Sequence, residues 1–198
     1  MRWRHLPNSL TALRLLLAPW ILYWLEVGAY ALAAGWLLVA VLSDLLDGYL
    51  ARRFRWQSEL GGLLDPIADK LLMACCFVGL ALAGQIPLWL LLCVLLRDAV
   101  IVGGAAAYRA LIGPFKAEPR WLGKFSTLVQ SVFVLATVSA LGWRWPLSPW
   151  LDIAVWTVAV VALISGADYV WHWSWRAWRA GRSEVKATRG PGNDERYP

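Results

Sequence analysis

The sequence predicts an all-α integral membrane protein. It reads as six transmembrane helices with an N-terminal interfacial segment and both termini in the cytoplasm. Three observations predict this class. The 198 residues are 60% hydrophobic and 16% charged, with a mean hydropathy of +0.53, whereas a soluble domain lies nearer half apolar and a quarter charged. Fifteen tryptophans are present, and tryptophan favours membrane–water interfaces. Six apolar runs, at 9–26, 29–50, 63–83, 87–109, 123–141 and 149–172, each approach the roughly 20 residues that a bilayer requires.

The first run follows MRWRHLPNS. A cleavable signal peptide ending near YALAAG is the alternative there, but the further apolar runs favour a retained helix. Arg14 lies inside this run, and a charge within an apolar span faces the bundle interior. Runs two and three carry four aspartates, and run four carries Arg97-Asp98. Run five opens on LGKFSTLVQ, which puts Lys124, Thr127 and Gln130 at helical spacing. Run six ends in WHWSWRAWR, which suits an interfacial helix end. The connections are short, so neighbouring helices run antiparallel. Residues 1–180 form one membrane domain, and 181–198 are expected to be a disordered cytoplasmic tail.

The basic residues are placed unevenly. Arg2, Arg4, Arg52, Arg53, Arg55, Arg109, Lys116, Arg120, Lys124, Arg176, Arg179 and Arg182 fall on one side, while the opposite loops hold only Arg144. The positive-inside rule puts both termini and the loops after helices two and four in the cytoplasm. The formal net charge of +6 therefore reports topology and anionic lipid. No nucleic-acid-binding motif is visible. Cys75, Cys76 and Cys93 lie in apolar runs without metal spacing and read as small buried hydrophobes.

The stretch DLLDGYLARRFRWQSELGGLLDPIAD (44–69) places Asp44 and Asp47 three residues apart, and Asp65 and Asp69 four apart. Each pair shares a helical face. With a turn near 53–61, the first pair lies roughly 9–13 Å below it and the second roughly 6–12 Å below. Four carboxylates can thus point at one spot. Left alone, each costs about 2.5–3.5 kcal/mol at mid-membrane on insertion scales, and they repel one another, so a cation belongs among them. Oxygen ligands without His or Cys suit Mg²⁺ or Mn²⁺. Four carboxylates suffice for two such ions about 3.5–4 Å apart, the spacing that serves phosphoryl chemistry. Gly48 and Ala51 lie on or beside the same face, either for close helix packing or to leave room for a ligand. Arg52, two turns from Asp44, reads as a topology flank, a neutralising partner or a phosphate contact.

Written out, the spacing is Asp44-x-x-Asp47-Gly48-x-x-Ala51-Arg52, eight residues, then Gly61-x-x-x-Asp65-x-x-x-Asp69. This resembles the signature of the CDP-alcohol phosphotransferases at all eight fixed positions. The resemblance implies a reaction in which an acceptor hydroxyl attacks the lipid-side phosphorus of a CDP-linked lipid and CMP leaves. It implies Asp44, Asp47, Asp65 and Asp69 as ligands of two metal ions. It implies Asp69 as catalytic base, and Gly48, Ala51, Arg52 and Gly61 at the CDP end. It also implies a homodimer.

Pro7-Asn8-x-Leu10-Thr11-x-x-Arg14, SELGGLLDPIADKLL (58–72) and LGKFSTLVQ (122–130) resemble the bacterial branch that makes phosphatidylglycerophosphate and cardiolipin. That branch implies CDP-diacylglycerol as donor, a glycerol-based acceptor and a place in the bacterial inner membrane, with the site open to the cytoplasm. Arg97, Lys124 and Arg120 are the candidate acceptor-binding residues. For Arg97 the alternative is a structural ion pair, and for Lys124 a topology anchor. Arg97-Asp98 followed by IVGG resembles the cardiolipin-synthase type, which makes phosphatidylglycerol the expected acceptor and glycerol 3-phosphate the alternative. Two rivals come from other classes. An intramembrane prenyltransferase lacks the Gly-x-x-Ala-Arg continuation. A divalent-cation transporter needs neither that glycine nor that arginine beside its carboxylates.

Overall fold

The computed structural model describes residues 6–54, 59–111, 121–146 and 150–188. Side chains are described over 11–44, 67–104, 121–146 and 150–172, with Ala106, Arg109, Ala110, Ser174 and Trp175 beyond these. The described residues form six helices: α1 (Leu6–Glu26), α2 (Tyr30–Phe54), α3 (Glu59–Leu82), α4 (Leu88–Leu111), α5 (Trp121–Gly142) and α6 (Trp150–Thr188). Each contains or closely matches one apolar run. α6 continues past the expected span, so residues 181–188, read from the sequence as the start of a tail, are helical. Residues 189–198 and the N-terminal interfacial segment, 1–5, lie outside the described residues.

Large apolar side chains cover the surface as well as the core. Leu16, Leu96, Leu163 and Trp156 are exposed, whereas Arg14 and Arg97 are buried at 1% and 6% exposure. Soluble folds almost never bury arginine and expose leucine at this scale; a bilayer reverses the preference, and polar groups turn inward. Exposed tryptophans mark both ends of the helices, with Trp143, Trp145 and Trp150 at one end and Trp121 and Trp171 at the other. Helices α5 and α6, over Trp121–Gly142 and Trp150–His172, are long and apolar enough to cross a membrane by composition alone.

Packing departs from simple chain order. α1 packs against both α2 and α3, α2 against α5, and α4 and α5 against α6. Among the described residues α2 and α3 do not pack on each other, and α1 joins them. The core runs through Leu17, Ile21 and Leu25 of α1, Leu37 of α2, and Leu72, Phe77 and Leu80 of α3 to Val134 and Val138 of α5.

The turns at 27–29, 83–87 and 143–146 share one end of the molecule. Gln85 Nε2 donates to Tyr30 Oη at 3.2 Å there. All three preceding helices close alike, with a six-to-one bond outside a five-to-two bond. The pairs are Ala29 N to Trp24 O with Gly28 N to Leu25 O, Gln85 N to Leu80 O with Gly84 N to Ala81 O, and Trp145 N to Ala140 O with Arg144 N to Leu141 O. This cap needs a left-handed residue, normally glycine. Gly28 and Gly84 supply it at φ 74° and 68°, but the third position is Arg144 at φ 55°.

Candidate active site

The site is at the opposite end, towards which the second halves of α2 and α4 and the first halves of α3 and α5 run. Arg14 reaches it from α1. Its Nη1 lies 2.7 Å from Asp44 Oδ1 and 3.7 Å from Asp69 Oδ1. One guanidinium nitrogen therefore serves carboxylates from two helices. Both aspartates are about half exposed, while Arg14 is buried. Leu17, Ala18 and Ile21, buried on α1, fix the rotation that turns Arg14 inward.

The structure thus brings Asp44 and Asp69 together, as their depth along the helices predicts. Asp47, Gly48, Ala51 and Arg52 lie on α2, and Gly61 and Asp65 on α3; their side chains lie outside the described residues, as does Arg120 entirely. Asp44 and Asp69 offer the donor chemistry that a divalent cation takes, although among the described residues no group of three or more such side chains is gathered. They are oxygen donors from separate helices that already converge on one positive group, and Asp47 and Asp65 follow at helical spacing on the same two helices.

A second polar cluster adjoins Asp69. Lys70 Nζ pairs with Asp98 Oδ1 at 2.9 Å, and Arg97 Nη1 pairs with the same oxygen at 2.6 Å. Arg97 Nη2 donates to Gly123 O at 3.3 Å and to Ser165 Oγ at 3.0 Å. Its buried Nε has no hydrogen-bond partner among the described residues. The Tyr169 phenol closes directly on Gly123, where a Cβ would lie 2.8 Å from Tyr169 Oη. Beside this cluster is a cavity of about 470 Å³ whose lining includes Lys70, Arg97, Lys124, Thr127, Ser131 and Tyr169. Lys70 and Arg97 share the single charge of Asp98, so with Lys124 the cavity keeps a positive excess that suits an anion such as a phosphate.

Arg97 is ion-paired to Asp98, and it also lines the cavity beside Lys124. Sequence reasoning missed Lys70, Ser131 and Tyr169. Lys70 carried a signal, as a charge inside an apolar run. Tyr169 carried none, since only the packing of α6 on α4 and α5 brings it in.

An apolar groove between α5 and α6 borders this cavity at one residue. Leu128 lines both. The groove measures about 710 Å³ and continues past Val132, Phe133 and Ala136 towards Trp145 and Trp150.

Comparison with known proteins shows the family. The family model for CDP-alcohol phosphatidyltransferase matches residues 4–167. A probable phosphatidylglycerophosphate synthase of Mycobacterium tuberculosis is 34% identical over 179 residues, covering 85% of this chain and 81% of that protein. A probable CMP-forming cardiolipin synthase of Drosophila melanogaster is 32% identical over 181 residues; the match covers 83% of this chain and 56% of the fly protein. A CMP-forming cardiolipin synthase of Streptomyces coelicolor is 32% identical over 176 residues, covering 80% and 81%. With most of its length matched, and with acidic and basic groups gathered at one end of its helices, this chain belongs to the CDP-alcohol phosphatidyltransferase family.

Proposed function

We propose that this protein transfers the phosphatidyl group of CDP-diacylglycerol to phosphatidylglycerol, forming cardiolipin and releasing CMP. The observation that supports the choice of acceptor is that Leu128 borders both the basic cavity and the apolar groove. From Leu128 to Ala140 the groove follows α5 for about 18 Å, a little more than half the hydrocarbon thickness of a bilayer, roughly 30 Å. A phosphate held at Lys70, Arg97 and Lys124 would thus have room for an acyl chain of the same molecule alongside. Glycerol 3-phosphate satisfies the cavity but leaves the groove unused.

Asp44, Asp47, Asp65 and Asp69 would hold two Mg²⁺ or Mn²⁺ ions, which offset charge on the diphosphate and on the departing CMP. Gly48, Ala51, Arg52 and Gly61 would line the CDP end. Asp69 would take the proton from the acceptor hydroxyl as its oxygen bonds to the lipid-side phosphorus and the bond to CMP breaks. Asp69 directly precedes Lys70 in the chain, so the carboxylate and basic clusters share one turn of α3. The six helices would cross a bacterial cytoplasmic membrane with this end inside, where the lysines and arginines are concentrated.

The test is CMP release by purified protein with CDP-diacylglycerol and Mn²⁺. Phosphatidylglycerol as sole acceptor is expected to support turnover. Release with glycerol 3-phosphate alone would overturn the choice of acceptor and make the groove irrelevant to it.

A further inference from the structure

We infer that Arg14 is the resident counter-cation of the carboxylate site, a positioning residue that holds Asp44 and Asp69 together and weakens the site's grip on divalent cations. The inference rests on the metal-dependent reading above. Three observations lead to it.

First, Arg14 is buried to 1% exposure within a largely apolar helix. A guanidinium is stable there only if it is paired. Its pairing is not local: the partners lie on α2 and α3, at 2.7 and 3.7 Å. Second, α1 packs against both of those helices, which do not pack on each other among the described residues. Arg14 is where α1 touches both carboxylates. Third, the site faces two kinds of cation. A permanent positive charge at hydrogen-bond distance from Asp44 Oδ1 reduces the negative potential that draws in a divalent ion. The same charge lets the carboxylates sit close together before any metal arrives. Arg14 thus trades metal affinity for a fixed site geometry.

Mn²⁺ binding to the purified full chain in detergent, without substrate, tests this. Free Mn²⁺ is followed by its electron paramagnetic resonance signal. The wild type is compared with Arg14→Lys, Arg14→Gln and Arg14→Met. Removing the charge is expected to tighten Mn²⁺ binding about tenfold in the Gln and Met variants, while CMP release falls. Arg14→Lys is expected to stay within about threefold of the wild type, because the charge remains. A simple structural role would not tighten binding in one pair of variants and spare the other. If the Met variant does not fold, the contrast between Gln and Lys decides. Unchanged or weaker binding in the uncharged variants overturns the inference. A wild type that binds no Mn²⁺ overturns the metal reading itself.

Discussion

At the charged end the helices meet through ion pairs, Arg14 with Asp44 and Asp69, and Lys70 and Arg97 with Asp98. At the other end they meet through glycines. A Cβ on Gly79 would lie 2.8 Å from Leu25 Cβ, and one on Gly142 would lie 3.0 Å from Ala31 Cα. The difference separates function from stability. Charges inside a membrane protein are expensive and persist where chemistry uses them. Small residues let backbones approach and gain dispersion energy at no electrostatic cost. The quiet end clamps the bundle so that the charged end can hold groups that repel one another.

Substitutions at the two ends should therefore act on different observables. The largest effect is expected at the charged end. Asp65→Asn should lower turnover by about a thousandfold or more, as loss of a metal ligand would, with the unfolding temperature in detergent little changed. Asp44→Asn should lower turnover as much and the unfolding temperature as well, because it also takes the nearest partner from the buried Arg14. Near-normal CMP release from either variant would remove that aspartate from the site. Gly79→Val should do the reverse. It forces Leu25 and α1 aside and should destabilise the fold by about 1–3 kcal/mol, while the folded fraction keeps its activity. Equal loss of activity per folded molecule would blur the division between the ends.

Two smaller effects sharpen it. Lys124→Ala should raise the KM for the acceptor about tenfold, the value of one charge-assisted hydrogen bond, and leave the KM for CDP-diacylglycerol unchanged. A change in the donor KM instead would move the cavity's role to CDP. Arg144→Gly should stabilise the protein by about 1 kcal/mol, because it relieves a left-handed backbone that the two sister turns give to glycine. A lower unfolding temperature would mean that the arginine side chain contributes more than its backbone costs.

The helices were legible because apolar runs of membrane length between short polar breaks leave few alternatives. The convergence of Asp44 with Asp69 was legible too, since rise per residue fixes depth on either side of a turn. The partners were not. Helical periodicity gives the face on which Arg14 lies, but not that α1 is placed against both α2 and α3. The pairing of Asp98 with Lys70 and the approach of Tyr169 to Gly123 likewise depend on which helices become neighbours. The turn at Arg144 ran against local preference, because every other helix end on its side uses glycine.

The central claim is that paired carboxylates and bound divalent metal carry out phosphatidyl transfer at the charged end. Its most direct test is CMP release from CDP-diacylglycerol by purified protein with phosphatidylglycerol present, measured before chelation, after EDTA, and after adding back Mn²⁺ or Mg²⁺. The account predicts that EDTA stops release and that either ion restores it. Release that continues undiminished in chelator would contradict it.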